Sequence, residues 1–182
     1  MNKFDDASDV FFECAEISSE NKAIYDFLDC LGNLIFLFEK KEDWDVVFEL
    51  YKKSLKAFKK INDDRGIITS YFNLGIIEKH HEQKFEKALK FFKKGTNKAI
   101  DANYSELILK GLSYIGESLY YLGRIKDAKN EFLKALNLAE KINAKNAIQQ
   151  LKILLNSFGM NEKEIQEDLE KYRNNHKKTS KL

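Results

Sequence analysis

The stretch Leu112-Ser113-Tyr114-Ile115-Gly116-Glu117-Ser118-Leu119-Tyr120-Tyr121-Leu122-Gly123-Arg124-Ile125-Lys126-Asp127-Ala128-Lys129-Asn130-Glu131-Phe132-Leu133-Lys134-Ala135 holds two helical patterns in succession. Leu112, Ile115 and Leu119 recur at helical spacing with Gly116 among them, so one face of this helix admits a close neighbour. Gly123 follows, a residue suited to a helix C-terminus. In the second half, Ala128, Phe132 and Ala135 set a large ring between small residues, a ridge that fits the groove opposite. The stretch predicts two helices packed across a short turn.

The pattern recurs upstream. Leu28-x2-Leu31-Gly32-x2-Ile35 precedes Val47-x3-Tyr51-x2-Ser54, and Tyr71-x2-Leu74-Gly75-x2-Glu78 precedes Ala88-x3-Phe92-x2-Gly95. Gly32, Gly75 and Gly116 stand 43 and 41 residues apart, and Tyr51, Phe92 and Phe132 stand 41 and 40 apart. The first unit is looser, with 19 residues from glycine to aromatic against 16 in the third. One such pair cannot bury its apolar face alone, so stacked neighbours must supply the core.

At these residues the chain resembles the tetratricopeptide repeat family, and the third unit carries the likeness best through Gly116, Gly123, Ala128, Phe132 and Ala135. Its period exceeds the roughly 34 residues of that family. It is similar to the extended variety found in bacterial peptide-sensing regulators and some eukaryotic scaffolds. Asn62-Asp63-Asp64-Arg65-Gly66 resembles a linker of that variety. The family's proline after each second helix is missing throughout. Gly95 stands where the family has alanine, which is expected to weaken that helix by about 1 kcal/mol.

The expected fold is therefore all-α: a right-handed α-solenoid of antiparallel helix pairs, about nine helices in one domain over residues 1–176. Its leading half-repeat spans 7–18, with Phe12-x2-Ala15. Repeats follow at about 22–61, 66–102 and 105–142, then a fourth pair at 144–175. In that pair Ile148, Leu151, Leu154, Leu155 and Phe158 form a first helix closed by Gly159. Asn161-x-x-Glu164 then opens a capping helix carrying Ile165, Leu169 and Tyr172. Residues 177–182 are expected to be a disordered basic tail.

Composition agrees and excludes several classes. The 182 residues contain no proline and eight glycines, with 43% hydrophobic and 33% charged content, which suits one domain of long helices. No run reaches the roughly 18 apolar residues of a membrane span. The acidic start Met1-Asn2-Lys3-Phe4-Asp5-Asp6 lacks the pattern of a secretory signal, so a cytoplasmic location is expected. Cys14 and Cys30, without CxxC spacing, read as separate small core residues. Five consecutive apolar residues, Leu34-Ile35-Phe36-Leu37-Phe38, surround their helix, so either the leading helix or a second copy covers part of them.

No catalytic chemistry stands out. His80-His81-Glu82 has Phe85 where a zinc helix needs its second histidine, and no phosphate loop, dinucleotide fingerprint or nucleophile elbow is present. The chain reads as a non-enzyme needing no cofactor or metal. Its net charge of +2 conceals 13 Asp/Glu against 4 Lys/Arg in residues 1–50 and 16 against 27 in the remainder. Basic residues alternate with acids, which argues against a nucleic-acid partner. The asymmetry leaves open a homo-oligomer joined through acidic and basic ends.

The resemblance implies a concave surface lined by the first helix of each pair. Co-chaperones of the family clamp a peptide's terminal carboxylate there. Asn33, Asn73 and Lys110 match that clamp, whereas Asp29 and Tyr114 replace its cations. An asparagine amide can still pair with an extended peptide backbone. Helical phase adds Phe72, Glu117 and Tyr121 to the candidates, with Asp26, Ile76, Lys79, His80 and Tyr120 beside them. The expected role is an adaptor or scaffold that binds a peptide segment of a partner protein. The alternatives are a peptide-sensing regulator module and a self-assembling structural protein. Self-assembly through opposite charges gives a mass that falls as salt rises, so a monomeric mass across a salt series in light scattering removes the structural reading.

Overall fold

The computed structural model describes residues 3–179, with side chains described for residues 4–174. The described residues form nine α-helices: α1 (Lys3–Glu20), α2 (Ile24–Lys40), α3 (Trp44–Lys60), α4 (Asp64–His80), α5 (Phe85–Asp101), α6 (Ser105–Tyr121), α7 (Ile125–Lys141), α8 (Lys145–Ser157) and α9 (Glu162–Thr179). Helices α2 to α7 are each 17 residues long.

A left-handed residue ends nearly every helix, at positions 22, 42, 62, 83, 103, 123, 143 and 159. Through residue 143 the step is 20 or 21. Beyond each such residue the chain folds back onto the helix it has left. The Asp63 amide donates to the Phe58 carbonyl at 3.0 Å, Arg124 to Leu119 at 2.9 Å and Ala144 to Ala139 at 2.9 Å. These reversed bonds satisfy carbonyls that a helix end leaves open. They stop the helices where the family uses proline. Asn62, Asn103 and Asn143 fill three of the positions, the residue type after glycine that tolerates them best.

The segment expected to be a linker is instead a helix start. Asp63 caps α4 by accepting from the Gly66 amide at 3.0 Å. The expected capping box is present: Asn161 accepts from the Glu164 amide at 3.0 Å, and Glu164 accepts from the Asn161 amide at 2.8 Å.

The helices group into two compact units, Met1–Lys98 and Ala99–Leu182. In a helical repeat each hairpin packs mainly on its neighbours, so the chain can divide between hairpins. In the first unit α1 packs on α2, α2 on α3 and α3 on α4. Leu31, Leu34, Val47 and Leu50 are buried at its centre. Phe38 packs against Phe4 and Phe12 of α1, so the leading helix covers that side of the apolar run, while Phe36 points out and is 59% exposed. In the second unit α6 packs on α7, and α7 contacts both α8 and α9. Ile165 and Leu169 of α9 are fully buried, and Arg173 bonds Asn137 at 2.9 Å and pairs with Glu140. Helix α9 runs to Thr179, past the expected domain end at 176; residues 180–182 of the expected disordered tail lie outside the described residues.

Ring-on-glycine contacts join the pairs. An added Cβ at Gly75 would lie 2.6 Å from the Phe92 ring, and one at Gly116 would lie 2.5 Å from Phe132. Gly95 accommodates Phe72 in the same way, with 2.6 Å left, so its cost to α5 is offset by the burial of a ring. Gly32 differs from its expected role at a helix crossing, for an added Cβ there meets nothing within 4 Å.

Cys14 and Cys30 form a disulfide with Cα atoms 6.1 Å apart, which corrects the reading of two separate thiols. Each is eight residues from Lys22, the left-handed residue of the α1–α2 turn, so the antiparallel hairpin sets them opposite one another.

Gly116→Ala is expected to destabilise by about 1–3 kcal/mol through overpacking. Gly32→Ala is expected to stabilise by up to about 1 kcal/mol through helix propensity. Urea midpoints of the two variants against the parent check this opposition.

Candidate functional site

In the first unit, α2 and α4 form the walls of a cleft of about 420 Å³ with α3 as its floor. Leu28, Gly32 and Ile35 come from α2, and Tyr51, Ser54 and Phe58 from α3. Arg65, Thr69 and Asn73 follow one another at four-residue intervals along α4, which puts them on one stripe beside the opening. The Ser54 and Ser70 hydroxyls donate to carbonyls four residues back, at 3.1 and 2.8 Å, so their hydrogens are already used. Asn73 is half-buried and Thr69 exposed at this wall.

Tyr51 gives the floor its polar edge. Its hydroxyl donates to the Glu39 carboxylate at 3.2 Å. Burial first, then the Glu39 charge, holds this phenol far above its ordinary 10.0.

The structure distributes the expected site residues unevenly. Asn73 lines the cleft. Asn33 and Asp29 lie on the exposed face of α2, outside the lining, and the Asn33 amide donates to the Asp29 carbonyl at 3.0 Å. Phe72 is a correction: it is 2% exposed, because the space left by Gly95 draws it into the core. Lys79 is likewise buried, at 6%. In the second unit Lys110, Tyr114, Glu117 and Tyr121 form one stripe of α6. The Lys110 ammonium lies 5.7 Å from the Tyr114 ring centroid, and Tyr121 is 58% exposed beside Tyr120.

Arg65, Thr69 and Tyr51 were missed from sequence. The signal for the first two was available in their four-residue spacing ahead of Asn73. The histidine pair yields a contact, not a ligand set: His81 stacks on Trp44 with ring centroids 3.7 Å apart.

The folded state holds the Tyr51 proton more tightly than the unfolded chain does. The stability linked to it is therefore complete below pH 10 and is lost as pH rises beyond it. Between about pH 9 and 11 the parent should lose stability more steeply than Tyr51→Phe, as read from urea midpoints at each pH.

Comparison with family models returned no match. Over 115 residues the chain is 27% identical to Regulatory protein RapD of Bacillus subtilis (strain 168), a segment that is 63% of this chain and 32% of that protein. The chain thus spans about a third of the length of the curated relative it matches. The crystal structure of apo RapI superposes with a TM-score of 0.63 at 18% identity, covering 97% of this chain and 72% of RapI. Aspartyl phosphate phosphatase F from Bacillus subtilis gives 0.60 at 16% identity, covering 98% and 57%. A kinesin light chain from Podosopora anserina with TPR-like repeats gives 0.62 at 13% identity, covering 98% and 89%. This chain has the all-helical fold of the tetratricopeptide-like repeat proteins.

Proposed function

We propose that the chain is a non-catalytic regulatory adaptor that takes a peptide segment of a partner protein into the α2–α4 cleft. The observation that carries this is the cleft itself: an apolar floor under a wall that presents Arg65, Thr69 and Asn73 in register. An extended backbone offers donors and acceptors at regular spacing, and an asparagine amide meets both. The stripe Lys110, Tyr114, Glu117 and Tyr121 offers the second unit a similar mixture of rings and charge. Asp29 and Asn33, on the outward face of α2, are the least involved in this reading.

The match to RapD, a regulatory protein, supports a regulatory setting, and with it the closer variant in which the bound peptide is itself the signal. The proposal includes a cytoplasmic location and no reaction. No helix among the described residues is long and apolar enough to cross a membrane.

Capture from lysate on immobilised protein tests the reading. The parent should recover a set of proteins that Asn73→Ala loses or recovers several-fold less well. Lys110→Ala, measured separately, reports on the second unit. Equal recovery by parent and both variants overturns the proposal, and hydrolysis of acetyl phosphate above the blank overturns its non-catalytic part.

A further inference from the structure

A second cavity lies in the first unit, where the α1–α2 turn meets the C-terminal half of α3. It measures about 400 Å³ and is lined by Lys22, Lys53, Lys56 and Lys60, with Ile24, Phe27 and Ala57 among its apolar members and Ser18 and Ser19 completing it. No lining residue is acidic. Lys22 comes from the acidic first 50 residues, and Lys53, Lys56 and Lys60 from the basic remainder.

The lysines are not there to pair within the fold. Lys53, Lys56 and Lys60 occupy one stripe of α3, where like charges at helical spacing repel. The carboxylates within reach along the helix are engaged elsewhere. Glu49 holds Lys52 at 2.7 Å, Asp63 caps the Gly66 amide, and Asp64 pairs with Lys98 at 2.6 Å. None of the four pocket lysines forms an ion pair among the described residues. The first turn of α2 opens beside them. Its N-cap, Ala23, makes no side-chain bond, and the one acid of that turn is Asp26, which is not among the pocket's lining residues.

Four unpaired ammonium groups over an apolar floor define the complementary ligand. It carries a compact multiple negative charge and an apolar body. The volume falls within the range of small-molecule sites. We infer that this pocket, separate from the α2–α4 cleft, binds a small phosphorylated organic anion, with the phosphate at Lys56 and Lys60 and the apolar body over Ile24 and Phe27. Phosphate suits clustered lysines as point charges beside a helix N-terminus. Burial of the apolar body distinguishes such a ligand from free phosphate, which gains nothing from the floor.

The probe is 1-naphthyl phosphate, titrated into isotopically labelled full chain by NMR with inorganic phosphate and 1-naphthol as comparators. Saturable 1:1 binding is expected, with amide shifts confined to residues 18–27 and 53–60. Affinity should fall at least tenfold in the double variant Lys56→Gln/Lys60→Gln. It should hold in Lys163→Gln/Lys171→Gln, which removes the same charge from α9, and in Asn73→Ala, which disables only the cleft. All of these substitutions except Asn73→Ala replace exposed side chains, and a melting curve confirms that each variant is folded. Equal weakening by the two lysine pairs overturns the inference, because bulk charge then suffices. So do shifts located elsewhere, or inorganic phosphate binding as tightly as the naphthyl ester.

Discussion

A phenylalanine ring resting on a bare helix backbone is the contact on which the packing depends. Phe92 over Gly75 and Phe132 over Gly116 bring each second helix against its first, and Phe72 over Gly95 repeats the contact in reverse. A methyl group at any of these glycines would occupy space the ring already fills. The helices can therefore approach closely only in the register that aligns ring with glycine, and that register decides which side chains face inward. At the first repeat the contact is displaced to the next helix: Phe58 of α3 lies over Gly66 of α4, where an added Cβ would be 2.2 Å from the ring. Gly32 has no ring upon it, Tyr51 is tied to Glu39, and the space between α2 and α4 stays open as the cleft. The candidate site lies beside Gly32, which no ring covers.

Legibility followed the range of the interaction. The ring-and-glycine pairs were readable because each spans a fixed number of residues and recurs, so a period could be seen without coordinates. The capping box at Asn161 and Glu164 was readable because it is local. Phe72 was placed on the wrong side because helical phase alone cannot show that Gly95, on another helix, leaves it room. Gly32 was credited with a crossing for the converse reason: its motif is intact, but its partner ring is engaged elsewhere. The disulfide needed the position of the left-handed residue at 22. That residue is a lysine, and nothing in its chemistry announces such a conformation.

Charge follows a similar division. Several acids in the first unit are engaged by lysines or helix ends, as Glu49 by Lys52, Asp63 at the start of α4 and Asp64 by Lys98. A net charge summed over a segment misses this. Four lysines around one small cavity have no ion pair among the described residues, and the residue types at that cavity do not form a motif. The two binding surfaces thus differ in make-up. The cleft adjoins a glycine of α2 that no ring covers, and the cationic pocket gathers lysines that form no ion pair among the described residues.

The even spacing of the turns bears on how such a chain can change over generations. From α2 to α7 a helix and its turn occupy 20 residues, with one residue more only at the turn between α4 and α5. A deletion of one or two residues inside a helix would rotate everything beyond it by 100° or 200° and lift rings from their glycines. Copying or losing a whole two-helix unit leaves the register of the others intact. The tolerated mutational step is therefore a duplication rather than a slip. A gene built this way is most free to lengthen or shorten by whole pairs, while single-residue insertions are confined to the turns.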